Sequence, residues 1–167
     1  MSRSAMRRFL PMALLAGWSV AAAADAPADR AAVLDVITRF FEAMTARDVA
    51  AMASMMSEDG IIYGYREGDD GLQVIRRPHA AYLESLAGGQ GRIVERFWDP
   101  QVMVHDRLAT AWTPYDFHVD GEFSHCGVNN FSLLKTDAGW IITGVVFSIE
   151  ADCGPSPLGP FPREARE

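Results

Sequence analysis

The second half of the chain limits its possible folds more than any other feature. Five segments there are rich in β-branched and aromatic residues, with short turn signals between several of them: 92–98, 101–105, 108–119, 123–135 and 140–150. Asp120-Gly121 is a strong hairpin signal, because both central residues of such a two-residue turn need positive φ. A second, longer turn is expected at 136–139. These features predict an antiparallel meander of strands.

The first half has the spacing of amphipathic helices. Apolar residues recur there at intervals of three and four, and start signals such as Asp29 and Pro78 precede them. Between the helices, a short strand at 61–65 and a polar loop at 66–71 are expected. Helices followed by strands favour an α+β fold in which helices cover one face of an antiparallel sheet. The predicted helices are 29–44, 49–56 and 78–87.

The N-terminus has the order of a secretory signal peptide. Basic residues come first, an apolar run from Phe9 to Val20 follows, and small residues then lead to Ala24. The run is shorter than the roughly 20 residues that cross a bilayer, so no membrane anchor is expected. Cleavage is expected after Ala24, with Ala26 as the alternative, which predicts a periplasmic or secreted location. The predicted units are a signal peptide at 1–24, a domain at 25–153 and a disordered Pro-rich tail at 154–167.

The charge of the chain argues against several classes of partner. The formal net charge is −7, and removing residues 1–24 leaves 12 basic and 22 acidic residues, a charge of −10. A surface this acidic disfavours nucleic acid and anionic membranes. The remaining length of about 140 residues is enough for one domain and not for two.

Two cysteines, Cys126 and Cys153, invite a disulfide in an exported chain. If the last hairpin turn is centred near residue 137, Cys126 lies opposite Ser148 or Ile149, a few residues before Cys153. The alternative is a buried free Cys126 with Cys153 loose in the tail.

Four stretches of the β-rich half form a recognisable pattern: 112–118 (WTPYDFH), Asp120-Gly121, 124–129 (SHCGVN) and 139–142 (GWII). With the opening helix and its Phe40-Phe41 pair, they resemble exported members of the nuclear transport factor 2-like (NTF2-like) superfamily, which includes SnoaL-like and ketosteroid-isomerase-like proteins. The resemblance implies a cone-shaped fold, with a strongly bent antiparallel sheet over three helices and a pocket at the wide end. Such proteins commonly form dimers. They include isomerases, cyclases, dehydratases and binding proteins, so the fold leaves the function open.

Strand alternation indicates which side chains enter the pocket. It places Phe123, His125 and Asn129 on the same face as Phe131 and Leu133, which marks that face as the buried, concave one. A polar pair there needs partners or a ligand, so His125 and Asn129 are the predicted polar contacts of the pocket. The alternative for His125 is a buried histidine that the core itself satisfies.

Further ligand contacts are expected on the neighbouring strands. Phenols that alternate with Gly64 could both face inward, or they could be simply half-buried. On the 108–119 strand, alternation places Trp112 and His118 on one face and Tyr115 on the other, unless a bulge at Pro114 changes the phase. These additional candidates are Tyr63, Tyr65, Trp112, Tyr115 and His118.

Catalytic groups are less evident. The ketosteroid isomerases that this fold resembles have an acidic base on the early strand, whereas residues 61–65 (IIYGY) contain no carboxylate. A pair of His125 and Asp116 is the candidate dyad for proton transfer, provided that the strand register brings them together. No metal is expected, because the four histidines lack paired spacing, and no nucleotide or phosphate motif indicates a cofactor.

The leading interpretation is an exported domain that binds a small, mostly apolar organic molecule through His125 and Asn129. An isomerase or hydrolyase that transfers protons in the same pocket is the first alternative. A protein-association module is the second. Aromatic residues on both faces of the strand that holds Trp112, Tyr115 and Phe117 also predict a homodimer through the sheet.

Overall fold

The structure, a computed structural model, describes residues 26–162. The predicted signal peptide, residues 1–24, and the charged end, 163–167, lie outside this range. Three helices are present: α1 (Ala26–Ala46), α2 (Val49–Met55) and α3 (His79–Ala87). No helix of the described part combines the length and the apolar character that a membrane crossing requires.

Helix α1 buries the apolar stripe that its sequence predicts. Its start differs from the expected one, because the helix begins at Ala26 and Asp29 lies in the first turn. The Asp29 carboxylate instead accepts hydrogen bonds from Lys135 Nζ at 2.6 Å and from Trp140 Nε1 at 3.4 Å. These bonds tie the start of the helix to the sheet. The buried stripe consists of Val33, Val36, Ile37, Phe40, Phe41 and Met44.

The corner between α1 and α2 is fixed by polar contacts. Arg47 adopts a φ of 53°, and the Asp48 side chain caps α2 by accepting a hydrogen bond from the Ala51 amide at 2.9 Å. The Arg47 guanidinium donates to the Leu86 and Gln90 carbonyls at 2.8 and 2.9 Å. The corner therefore holds the end of α3 in place.

Seven strands form one bent, open sheet, and it is mixed rather than antiparallel throughout. Along the sheet the order is β2-β1-β7-β6-β5-β3, and β4 also pairs with β5. All pairs are antiparallel except β1 with β7, which is parallel. The strands are β1 (Met56–Gly68), β2 (Gly71–Pro78), β3 (Ile93–Phe97), β4 (Gln101–His105), β5 (Leu108–Val119), β6 (Glu122–Thr136) and β7 (Gly139–Ser148).

The five predicted strands of the second half are confirmed, and one prediction for the first half is wrong. The polar loop expected at 66–71 is a hairpin, because β1 continues to Gly68 and β2 returns along it from Gly71. The hairpin at Asp120 and Gly121 is confirmed by φ values of 51° and 80°.

A bulge lies on β6 rather than at Pro114. The pairing of β5 with β6 runs unbroken through Pro114 and shifts between Phe117 and His118, because Phe117 lies opposite His125 and His118 lies opposite Phe123. Ser124 is thus the extra residue. The bulge moves Phe123 to the opposite face of the sheet from His125, in contrast to the simple alternation.

The three helices cover the inner, concave face of the sheet. Phe40 and Phe41 pack edge-to-face on Phe131, with ring centroids 5.9 and 5.7 Å apart, and Phe97 lies 5.6 Å from Phe41. The closed end of the cone is filled by these rings together with small and branched side chains, among them Ala109, Ala111, Leu133 and Ile142.

The predicted disulfide between Cys126 and Cys153 is present, with the two Cα atoms 6.2 Å apart. Cys126 lies opposite Glu150, one position beyond the predicted Ile149. The difference arises because the pairing of β6 with β7 shifts by one residue between Ser132 and Leu133.

Residues 154–162 lie against the outer, convex face, which differs from the disordered tail that the composition favoured. Phe161 is only 6% exposed, and its ring centroid lies 4.5 Å from that of His118. Arg96 donates a hydrogen bond from Nη2 to the Gly159 carbonyl at 3.2 Å. We call residues 154–162 the C-terminal segment.

Loss of the disulfide is expected to reduce stability substantially. The bond joins residues 27 positions apart, so Cys153→Ala should lower the free energy of unfolding by about 3–4 kcal/mol in the chain-entropy model. The measurement is urea denaturation of the variant beside Asp152→Ala, a neighbouring exposed position. Equal midpoints for the two variants would contradict the expectation.

Candidate functional site

A cavity of about 380 Å³ lies between the helices and the concave face at the wide end of the cone. We call it the inner cavity. Its polar groups come from α3, from the α1–α2 corner and from strands β2, β3, β5 and β6. Its walls are mostly apolar side chains, including Phe40, Ile62, Phe131, Val145, Phe147 and Ile149.

Glu95 and Asn129 form a hydrogen-bonded pair in the inner cavity. Asn129 Nδ2 donates to Glu95 Oε1 at 2.6 Å, and Asn129 is 5% exposed. Burial raises the pKa of Glu95 to about 8, the Asn129 hydrogen bond partly opposes the rise, and the negative charge of Asp116 adds to it. At neutral pH the Glu95 carboxyl is therefore mainly protonated, and it can both donate and accept hydrogen bonds.

His125 also lines the inner cavity, between two aromatic rings. Its ring stacks on Phe117 with centroids 4.8 Å apart and meets the Tyr115 ring edge-to-face at 5.8 Å. Its Nδ1 lies 3.0 Å from the Ser124 hydroxyl oxygen. Burial lowers the pKa of His125, so the imidazole is neutral at pH 7.

Two tyrosines complete the polar lining on the sheet and helix sides. The Tyr115 hydroxyl donates to the Ser148 carbonyl at 2.7 Å, and the Tyr82 hydroxyl donates to Met44 Sδ at 3.2 Å. Burial, reinforced by the neighbouring Glu95, raises the pKa of both phenols. Both therefore stay protonated at every pH at which the protein would be assayed.

Asp116 and His118 lie on the outer face, away from His125. Arg96 donates to both carboxylate oxygens of Asp116, at 2.8 and 2.6 Å, and His118 Nε2 lies 3.2 Å from Asp116 Oδ1. Burial would raise the pKa of Asp116, but hydrogen bonds from Arg96 and Ser156 and the Arg96 charge outweigh it and hold the pKa below its usual value.

The candidate dyad of His125 and Asp116 is consequently not formed. Asp116 lies directly opposite Cys126 on the neighbouring strand, one position away from His125, so alternation sends the two side chains to opposite faces. Asp116 and His118 line a second space of about 790 Å³ between the sheet and the C-terminal segment, which we call the outer groove. Phe161 lines it too, and its ring is buried against His118.

Three of the candidate ligand contacts line neither of these spaces. Tyr63, Tyr65 and Trp112 are 37%, 43% and 50% exposed. On β1 it is Ile62 and Gly64 that are buried, so the phase of this strand is opposite to the one that would turn the phenols inward. The Tyr63 hydroxyl instead accepts a hydrogen bond from Arg76 Nε at 3.3 Å.

Glu95 was not among the predicted site residues, although the sequence around it contains a signal for a buried acid. Glu95 lies between Ile93 and Phe97 on a predicted strand, and alternation gives all three residues the same face. A carboxylate flanked at two-residue spacing by large apolar residues is a candidate for a buried acid. Two arginines at the cavity, Arg47 and Arg77, were also not identified as lining residues.

No thiolate is available for a metal in the described part of the chain. Within residues 26–162, one group of potential metal donors lies close together, namely Cys126, Glu150 and Cys153. The disulfide occupies both sulfur atoms of this group. The remaining carboxylate alone does not make a metal site.

Comparison with solved structures identifies the fold. A protein of unknown function from Mycobacterium tuberculosis superposes with a TM-score of 0.62 at 18% identity, over 77% of this chain and 79% of that one. A candidate dehydratase of the NTF2-like family from Streptomyces avermitilis gives 0.61 at 18% identity, over 75% and 99%. An NTF2-like superfamily protein from Salmonella enterica gives 0.61 at 15% identity, over 78% and 97%.

At these identities the similarity establishes the fold and leaves the activity open. A search of curated proteins finds no significant match. The profile of the SnoaL-like domain, in contrast, matches residues 33–152, which run from α1 to the residue before Cys153. The chain therefore belongs to the SnoaL-like domain family and has the NTF2-like fold.

Proposed function

We propose that this protein is exported and binds a small, mostly apolar organic molecule in the inner cavity. The observation that carries the proposal is the composition of the cavity, in which mostly apolar walls surround a small number of polar groups. Binding sites for small molecules commonly have this composition, and about 380 Å³ lies within their usual size range. Export is supported by the N-terminal sequence and by the disulfide, which persists in oxidising compartments.

Asn129, His125 and Glu95 are the polar contacts of the proposed ligand. At neutral pH Asn129 and His125 are uncharged and Glu95 is mainly protonated, and each offers a hydrogen-bond donor or acceptor beside an apolar wall. Neutral polar groups cost less to desolvate than charged ones, so an uncharged part of a ligand can displace water from them at modest cost.

Replacement of His125 is expected to weaken ligand retention more than it weakens the fold. His125→Ala removes one polar contact of the cavity and the ring contacts with Tyr115 and Phe117, and should change the free energy of unfolding by about 1–2 kcal/mol. Native mass spectrometry of protein isolated from its own compartment measures the retained mass. His105→Ala, at an exposed position of β4, is the control, and equal retention by the two variants would count against the proposal.

Proton transfer by Glu95 is the second candidate function, and one observation favours it. A general acid or base works best when its pKa lies near the working pH, and the pKa of Glu95 is raised to about 8. The acidic group that the early strand lacks is thus supplied by β3. The candidate dehydratase among the similar structures fits this chemistry at the level of the fold only.

The raised pKa of Glu95 should be visible in the stability of the protein. Because the folded state holds this proton more tightly than the unfolded state, stability present below pH 4.5 is lost as the pH rises towards 8. The loss is at most about 1.4 kcal/mol per pH unit. Denaturation of wild type and Glu95→Gln across this range should therefore give a difference in stability that changes with pH, and a constant difference would refute the shift.

A homodimer through the outer face of the sheet remains part of the proposal. Tyr115 and Phe117 pack in the chain's own interior. Trp112, Val146 and Tyr63 are exposed and lie in one row across the sheet, in which Asn130 on β6 separates Trp112 from Val146. Exposed apolar side chains in such a row are typical of a surface that a second subunit covers.

A charge in this exposed row should prevent dimer formation. Trp112→Lys is expected to give a monomer in size-exclusion chromatography with light scattering, since the same residue would be buried twice in a symmetric interface. Leu72→Lys, on the β1–β2 hairpin, is the control and should leave the mass unchanged. A monomeric wild-type protein at micromolar concentration would rule the dimer out.

A further inference from the structure

The charges around the inner cavity are unbalanced. Six titratable side chains line it, and four of them are uncharged at pH 7: Tyr82, Glu95, Tyr115 and His125. The other two are Arg47 and Arg77, whose guanidinium groups keep their charge at any ordinary pH. The lining thus carries two positive charges, in a chain whose formal net charge is −7.

The two guanidinium groups differ in what they already bind. Arg47 donates to the carbonyls of Leu86, Gln90 and Gly91 at 2.8–2.9 Å, so its donors hold the α3 end. The Arg77 side chain makes no hydrogen bond and no ion pair with any residue between 26 and 162. Its donors are therefore available at the rim of a largely apolar space.

Strand geometry explains why Arg77 and not its neighbour faces the cavity. On β2, Ile75 and Arg77 line the inner cavity, and Arg76 between them points to the other side, where it donates to the Tyr63 hydroxyl. Two arginines at consecutive positions are thus assigned to opposite faces. Arg76 provides a matched control for Arg77.

We propose that the ligand of the inner cavity is an amphipathic anion, with an apolar body in the cavity and one oxyanion group, such as a carboxylate, bound by Arg77. This inference rests on the proposed binding function and specifies the chemical class of the ligand. Arginine presents its donors in a planar fork that matches the two oxygens of a carboxylate, and such charge-assisted pairs are stronger than neutral hydrogen bonds. Arg77 lies at the exposed rim of the cavity, where its guanidinium can meet the charged end of a ligand whose apolar body fills the interior.

Ionisation of Glu95 should make the preference of the inner cavity for an anionic ligand depend on pH. The groups that act on Glu95 or are acted on by it are Asn129 on β6, Tyr115 on β5, Tyr82 on α3 and, from the other side of the sheet, Asp116. Arg77 on β2 lines the same cavity. When Glu95 ionises it places a negative charge among the lining residues. The preference for an anion should consequently decrease as the pH rises through about 8.

The test compares two fluorescent probes that differ by a single anionic group, 8-anilinonaphthalene-1-sulfonate and the uncharged N-phenyl-1-naphthylamine. Both become fluorescent in apolar surroundings. Wild type should bind the sulfonate roughly tenfold more tightly than the uncharged probe, the factor expected for one charge-assisted hydrogen-bonded pair. Arg77→Gln should abolish this preference and leave the affinity for the uncharged probe unchanged, whereas Arg76→Gln should keep it.

Ser85→Trp identifies the site at which the probes bind. Ser85 lines the inner cavity from an exposed position of α3, so a large side chain there should obstruct the opening without disturbing the core. Fluorescence that persists in this variant is binding elsewhere, such as the outer groove with Arg96, and counts against both the proposed function and this inference.

The outcomes separate the two proposals. If the uncharged probe binds in the cavity and the sulfonate shows no preference, or if Arg77→Gln retains the preference, the anionic ligand is excluded and the binding function stands. If neither probe binds in the cavity of wild type, the proposed function fails and the inference fails with it. A preference that depends on Arg77 and declines above pH 8 supports both.

Discussion

The packing of two adjacent phenylalanines of α1 on the inner face of the sheet determines what the rest of the molecule can do. Phe40 and Phe41 both meet Phe131 edge-to-face, and this contact fixes the distance between the helical layer and the sheet. Toward the closed end, the space between the helices and the sheet is filled by side chains. Toward the wide end, the space between the helices and the sheet is the inner cavity, which Phe40, Phe41 and Phe131 also line. The same three phenylalanine rings therefore stabilise the fold and form part of the wall of the inner cavity.

Two carboxyl groups on adjacent strands show how strongly one sheet can separate chemical environments. Glu95 and Asp116 lie on β3 and β5, which pair directly, yet the pKa of the first is raised and that of the second is lowered. Burial raises the pKa of both carboxyl groups. At Asp116 the hydrogen bonds and the positive charge of Arg96 help to outweigh burial, whereas Asn129 offers Glu95 only a neutral donor. Only the acid without a cationic partner is suited to moving a proton near neutral pH.

The strands were predictable because their patterns are local, and the errors arose where the structure depends on pairing. Five strands and the hairpin at Asp120 follow from residue type and turn chemistry. The strand β2 contains apolar residues but buries almost none of them, because it is exposed along nearly its whole length and its pairing with β1 is made by backbone groups. A strand that buries so little apolar surface has no periodic pattern of hydrophobic residues by which it can be predicted.

The site was predictable to the extent that single-strand alternation holds. His125 and Asn129 line the inner cavity on the face that alternation assigns to them, because the β6 bulge at Ser124 precedes both; their contact with a ligand stays a prediction. Phe123 lies on the other side of the bulge and changes face. The prediction placed Tyr63 and Tyr65 on the wrong face because residues 61–65 have apolar side chains on both faces of the strand. Only the burial of Ile62 in the structure shows which face points inward. No pattern in one strand reveals that choice.

The position of the C-terminal segment determines from which side the protein can be attached to a surface without covering the inner cavity. Because the disulfide turns the chain onto the convex side and Phe161 is buried against His118, the described chain ends there at Pro162, across the sheet from the inner cavity. A surface, bead or fluorescent protein attached beyond this point would leave the mouth of the cone open to solution. Immobilisation through this end therefore suits small-molecule capture, while it would crowd any partner that approaches the outer face.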